Sequence, residues 1–164
     1  MKLIRDASEK EVLDAIYCSD VQGKCAGNSF REFLDAKKFL FDNLPPKRAW
    51  KEAAITPEDY ASLRVMGSSP LWAKVESGTL LDALRLIESG KEEWSRTREG
   101  INAICGLAGI DATGIVLITD AEKKFPFTII EGHHRILALL KQGKFVEKAF
   151  VGFCRGESIW MRNK

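Results

Sequence analysis

Apolar residues in the first part of the chain recur at three- and four-residue spacing behind helix-start signals. Ser8-Glu9-Lys10-Glu11 sets a hydroxyl and, three residues on, a carboxylate that can satisfy each other's free amides ahead of Val12, Leu13, Ile16 and Tyr17, which predicts a helix over residues 8–18. Ser29 and Glu32 repeat that pattern before Phe30, Phe33, Leu34, Phe41 and Leu44, and the second helix must stop before Pro45-Pro46, because proline lacks an amide donor and restricts its predecessor. Residues 19–28, with Gly23 and Gly27, read as the loop between them. Thr56-Pro57-Glu58-Asp59 opens a third, short helix that Gly67-Ser68-Ser69-Pro70 ends, with the proline in the first turn and the acids near the positive end of the dipole.

Residues 71–75 suit a strand, after which Leu80, Leu81, Leu84 and Ile87 mark a helix over 79–89 that ends at Gly90. Trp94, Ile101, Ile104 and Leu107 predict another, closing near Gly109. From Gly114 the texture changes to short apolar runs, 115–119 and 127–130, around a polar turn, which predicts a β-hairpin. Ile136, Leu137, Leu139 and Leu140 then give a helix over 133–142 with Gly143 as its stop, and Phe150, Val151 and Phe153 a returning strand. The expected fold class is α/β (α+β), with a helical region over 1–70 packed on, or acting as a lid over, a β-β-α-β-containing core over 71–164.

Composition changes this picture little. At 164 residues, 45% hydrophobic and 29% charged, the chain suits one compact domain with a helical extension and lacks the marks of disorder. No apolar run reaches the length that crosses a bilayer and no secretory leader is evident, so the sequence leads one to expect a cytoplasmic protein. Net charge is +2, but seven Lys and Arg against two Glu from Arg135 onward give that stretch an excess of +5. Such a bias suits a phosphate-bearing ligand and equally suits a solvated basic face.

The chemistry concentrates in Glu131-Gly132-His133-His134-Arg135, between the last hairpin strand and the following helix. A helix start exposes unpaired amides and a partial positive charge, and so attracts an anion. Gly132 lets the backbone turn closely, and Arg135 offers a planar fork of donors to phosphate oxygens. His133 and His134, the two histidines of the chain, add ring donors or a titratable acid/base, and Glu131 adds a carboxylate. The same residues also fit a structural reading, in which Arg135 bridges to a carboxylate and one histidine is a hydrogen-bonded core residue.

The run from Phe127 to Leu139 resembles the nucleotide-binding turn of the ParB/sulfiredoxin superfamily, which embraces the nucleotide domain of chromosome-partitioning ParB proteins, sulfiredoxins and free-serine kinases. The resemblance implies a ParB/sulfiredoxin-like core, with ATP, ADP or CTP as the ligand class and nucleotide phosphates at this helix start. Sulfiredoxins carry Gly-Cys-His-Arg here, so Gly132, His134 and Arg135 match while His133 stands in place of the nucleophilic cysteine, which argues against sulfiredoxin repair chemistry. Free-serine kinases, with Asp-Gly-His-His-Arg, are closer, and Glu131 replaces their aspartate. The resemblance thus implies Gly132, His134 and Arg135 as nucleotide-binding residues. Phosphoryl transfer would add Mg2+, a small-molecule acceptor and a carboxylate to take the acceptor's proton, and the candidates are Glu131, His133 and Glu76. The alternative is a non-catalytic ParB-like nucleotide- or nucleic-acid-binding module, or a nuclease relative. ParB proteins carry a further DNA-binding helical domain after this core, and none is expected in the short stretch from Phe153 to Lys164, so partitioning in that form is not the expectation here.

Other signals are weaker. Cys18 and Cys25 lack zinc-ligand spacing, Cys105 and Cys154 read as core or strand residues, and all four default to free thiols in a reducing compartment. Trp50, Trp72, Trp94 and Trp160 are expected to pack. Gly23-Lys24 lacks the glycine spacing and hydroxyl of a Walker motif.

Overall fold

In the computed structural model, which describes residues 1–20, 29–122 and 126–161, strands are spread along the whole chain. The elements in order are β1 (Lys2–Ala7), α1 (Glu9–Asp20), α2 (Phe30–Asp42), β2 (Arg48–Ile55), β3 (Arg64–Val65), α3 (Leu80–Glu88), α4 (Ser95–Cys105), β4 (Val116–Asp120), β5 (Thr128–Glu131), α5 (His133–Lys141) and β6 (Val146–Cys154). Short 3-10 turns lie at Pro57–Ser62, Trp72–Lys74 and Glu92–Trp94. All six strands join one mixed sheet in the order β1-β2-β6-β4-β5-β3. β4 runs parallel to β6 and β3 parallel to β5, while β1–β2, β2–β6 and β4–β5 are antiparallel. The fold is α/β, as the alternating patterns predict.

Side-chain alternation on the central strands sorts the core onto two faces. Ile115, Leu117, Ile129, Ala149 and Val151 meet Leu80 and Ala83 of α3, Ile101 of α4 and Ile136 of α5. Val116, Ile118, Ile130 and Phe150 meet Val12 and Ile16 of α1 and Phe33 of α2. Helices therefore cover both faces, and β4 is buried along its whole length, its Val116-Leu117-Ile118 an apolar run and Thr119 and Asp120 buried polar residues at its end. Trp50 of β2 lies flat against Gly152 of β6, its partner in register; a Cβ on Gly152 would sit 2.8 Å from the indole ring.

Several expectations hold in detail. Ser29 caps α2 with the reciprocal Glu32 bond, Thr79 caps α3, and β4, β5, α5 and β6 follow the predicted order. The region 1–70, expected to be helical, holds α1 and α2 but also β1, β2 and β3. β1 is exposed at five successive positions and so shows no alternation. β2 carries Lys51-Glu52-Ala53-Ala54, good helix formers, and its register shifts between Ala53 and Ile55. The third expected helix is a 3-10 turn. The strand expected at 71–75 is also a 3-10 turn, with Trp72 and Val75 buried three residues apart, the period of that geometry rather than of a strand. Ala53, Ile55, Tyr60, Leu63 and Val65 share one core cluster with Leu80 and Ile136, so the core runs continuously across residue 70. Of the expected 19–28 loop, Ser19 and Asp20 complete α1, and Gly23, Lys24, Cys25 and Gly27 lie outside the described residues.

Candidate functional site

β5 ends at Glu131, and the chain enters α5 through Gly132 in the left-handed region, φ 83°, with no side-chain cap on the helix start. Glycine is needed there twice over. Its positive φ disfavours any Cβ, and a Cβ would lie 2.8 Å from Ile115 Cγ1 and 3.1 Å from Ile115 Cα. This turn packs against Ile115, just before β4, and Arg135 reaches the neighbouring Gly114.

Glu131 is held on both oxygens. Lys37 of α2 donates to Oε2 at 2.7 Å, the Gly132 amide donates to Oε1 at 3.0 Å, and Arg135 Nη2 stands 3.8 Å from Oε1. Burial would push the Glu131 carboxyl up, but Lys37, Arg135 and the Gly132 amide together hold it below the ordinary carboxylate value. Arg135 Nη2 donates to the Gly114 carbonyl at 3.1 Å, and the buried Nη1 has no hydrogen-bond partner among the described residues. An unmet guanidinium donor in a buried position is costly unless something supplies an acceptor.

The two histidines part ways. The His133 ring stacks on Trp72, centroids 4.7 Å apart and planes 15° from parallel, and its Nε2 accepts from the Met66 amide at 3.5 Å. Burial pushes the His133 imidazole down to about 3 against the opposing pull of Glu131 and a bond to the Ile129 backbone. It is neutral at physiological pH and engaged on its face and its edge. His134 is exposed, turned towards the edge of Trp72 and lying over Gly100 of α4, where a Cβ would be 3.5 Å from His134 Nδ1.

Glu131 to Arg135 line one side of a cleft of about 720 Å³. Trp72 and Leu71 form a second wall, and Ile104, Leu107 and Ile110, from the end of α4 and the segment after it, form an apolar third. Ser19 of α1 and Asp111 complete it. Burial opposes ionisation of Asp111, but hydrogen bonds from Thr113 and the nearby Arg135 hold its carboxyl below the ordinary value. The cleft therefore combines an apolar wall, an open helix start, one guanidinium and two carboxylates. Its volume is that of a small-molecule site.

Five of the six candidate residues thus meet in one place. Glu76 does not: it sits in an exposed turn after the Trp72–Lys74 segment and does not line the cleft. Lys37, Asp111, Ser19 and the cleft-facing role of Trp72 are additions from the structure. Lys37 left a trace in the sequence, four residues after Phe33 and four before Phe41, which puts a cation on the apolar face of α2. The others have no local signal. All four tryptophans are buried, as expected, and Trp72 is both packed and exposed to the cleft.

The described residues do not build a cation cage, since no group of three or more His, Cys, Asp or Glu is placed to hold a metal ion and both Glu131 oxygens are engaged. Among the described residues, the lysines that follow Arg135 do not line this cleft either. Lys141 pairs with Glu88, Lys148 lies 3.6 Å from Glu52, and Lys144 and Lys148 line a separate cleft of about 410 Å³. No described helix is long and apolar enough to cross a membrane. No protein-family model matches the chain, and no curated protein or solved structure matches it either.

Proposed function

We propose that the chain binds a nucleotide such as ATP, ADP or CTP in this cleft, with the phosphates at the start of α5. The observation that carries the reading is Arg135, whose buried Nη1 faces no acceptor among the described residues beside an uncapped helix start at the mouth of a ligand-sized cleft. Phosphate oxygens would meet the start of α5, which has no side-chain cap, and the Arg135 fork, with His134 as a further donor at the rim. The wall of Ile104, Leu107 and Ile110 offers a surface for the base. The resemblance of Gly132, His134 and Arg135 to the ParB/sulfiredoxin turn points the same way.

Binding is better supported than catalysis. His133 is a neutral packing residue, Glu131 is tied to Lys37 and Gly132, and Glu76 stands off the cleft, so none of the three is placed to serve as the base for an acceptor bound there. Phosphoryl transfer to a small hydroxyl-bearing acceptor is the second reading, and Asp111 favours it: an ionised carboxylate on the cleft beside Arg135 could receive the acceptor's proton. Mg2+, if used, would arrive on the phosphates.

Thermal unfolding with and without ADP, ATP and CTP, each with Mg2+, tests the reading. A ligand at about 100 times its dissociation constant adds ~2.7 kcal/mol of stability, so a melting temperature that none of the three raises would refute nucleotide binding. Arg135→Ala is expected to weaken binding at least tenfold, the loss of one or more charge-assisted hydrogen bonds, with the fold retained. Turnover of bound ATP or ADP against pooled amino acids and alcohols, lost in Asp111→Asn, would establish the transferase. DNA binding that salt weakens and Arg135→Ala abolishes would replace the small-nucleotide reading by a nucleic-acid one.

A further inference from the structure

Glu131 and Arg135 lie one helical turn apart in a partly desolvated site, where a carboxylate and a guanidinium ordinarily close into a two-bonded fork. They do not do so here. Arg135 Nη2 stays 3.8 Å from Glu131 Oε1 and donates instead to Gly114, while the Glu131 oxygens take the Lys37 ammonium at 2.7 Å and the Gly132 amide at 3.0 Å. Lys37 comes from the opposite end of the chain. It sits on α2, four residues after the fully buried Phe33, and its side chain and that of Glu131 are only 21% and 20% exposed.

We propose that Lys37 is a positioning residue of the phosphate site: by holding the Glu131 carboxylate it keeps Arg135 aligned but not neutralised, so that the guanidinium remains available to an anion. The proposal rests on the phosphate-binding reading of the cleft. Without Lys37, Glu131 Oε2 loses its partner in a site that penalises bare charge. The carboxylate then titrates at higher pH, and where it is ionised it swings onto Arg135 and occupies the donors a phosphate would use. The charged and titratable groups that act on it are Lys37 from α2 and Arg135 and His133 from α5, and His134 and Asp111, from α5 and the segment before β4, line the same cleft. Of these, Lys37 makes the shortest ion pair with it. An exposed pair would do little, but this one bridges two elements out of bulk water.

The test follows the Glu131 side-chain carboxyl carbon by NMR through a pH titration of the full chain, native, Lys37→Met and Lys37→Arg, and measures ADP and pyrophosphate affinity of each from pH 5 to pH 8. Glu131 is expected to titrate below the ordinary carboxylate range in the native chain and in Lys37→Arg, and above it in Lys37→Met. Affinity of Lys37→Met relative to native is expected to fall about tenfold at pH 8, the coupling typical of contacting charged residues. It should recover as pH drops through the new Glu131 titration, because protonation releases Arg135. An unchanged Glu131 titration in Lys37→Met, or a relative affinity that is flat with pH, overturns the proposal. Should Lys37→Met fail to fold, the native titration decides: a Glu131 value at or above the ordinary range overturns it. If the native chain binds neither probe, the nucleotide reading falls, while the Glu131 titration still decides whether Lys37 holds the carboxylate.

Discussion

His133 and His134 are adjacent and chemically identical, yet the fold gives them different work. His133 is pressed against Trp72 and accepts from the Met66 amide, whereas His134 faces the cleft. The consequence is measurable. In the unfolded chain His133 takes a proton near pH 6.5, while in the fold burial holds its value down at about 3, so between these limits the unfolded state binds more protons. The stability this residue contributes is complete above pH 6.5 and is lost as pH falls towards 3, at up to about 1.4 kcal/mol per pH unit. Urea unfolding at pH 7 and pH 5 should show the native chain weaker at pH 5, and His133→Phe should flatten that difference while keeping an aromatic face for Trp72. An equal slope in both proteins would mean that His133 is solvated.

α2 links the local code to the site. Its register on the sheet is fixed by the buried Phe33 and its start by the two-way bond between Ser29 and Glu32, so the placement of Lys37 beside Glu131 depends on both. Ser29→Ala is expected to cost about 1 kcal/mol, the usual loss for an N-cap oxygen, and to raise amide exchange in the first turn of α2. Exchange unchanged there would mean that packing, rather than the cap, holds the helix start. Elements with strong periodicity and clear end signals, such as the capped α2 and α3 and the glycine-bounded α5, could be read from sequence to within a residue or two. β2 could not, because its buried Trp50 faces one side of the sheet and Ala53 and Ile55 the other, and the residues between them favour helix. The turn at Trp72–Lys74 failed for a related reason, since two apolar residues three apart in a short segment fit more than one geometry.

Across the whole molecule, the sheet binds the two ends of the sequence together. β2 lies between β1 and β6, and β3 closes the far side against β5. A fragment of residues 71–164 would keep β4, β5 and β6 but expose the full edge of β6 and one face of the sheet, which α1 and α2 cover. It is expected to be unfolded or aggregated, as judged by circular dichroism and size-exclusion chromatography. A monomeric fragment with native-like spectra would show that the core stands without the first seventy residues. The site has the same span, for its cleft draws on α1, the Trp72 turn, the end of α4 and α5, and α2 supplies Lys37 from behind.

By itself the sequence determined the five α-helices, the hairpin and the turn at Gly132, because each is governed by interactions between residues a few positions apart: caps, turn glycines and apolar period. It also marked Glu131, His134 and Arg135 as neighbours at a helix start. Only the tertiary structure decided that His133 is a stacked, neutral residue, that Glu76 stands off the cleft, and that Lys37, 94 positions from Glu131, is its partner. Those outcomes depend on desolvation and on contacts between distant segments. No local pattern encodes either, since the same side chain is charged or neutral, bound or exposed, according to what the rest of the chain packs against it.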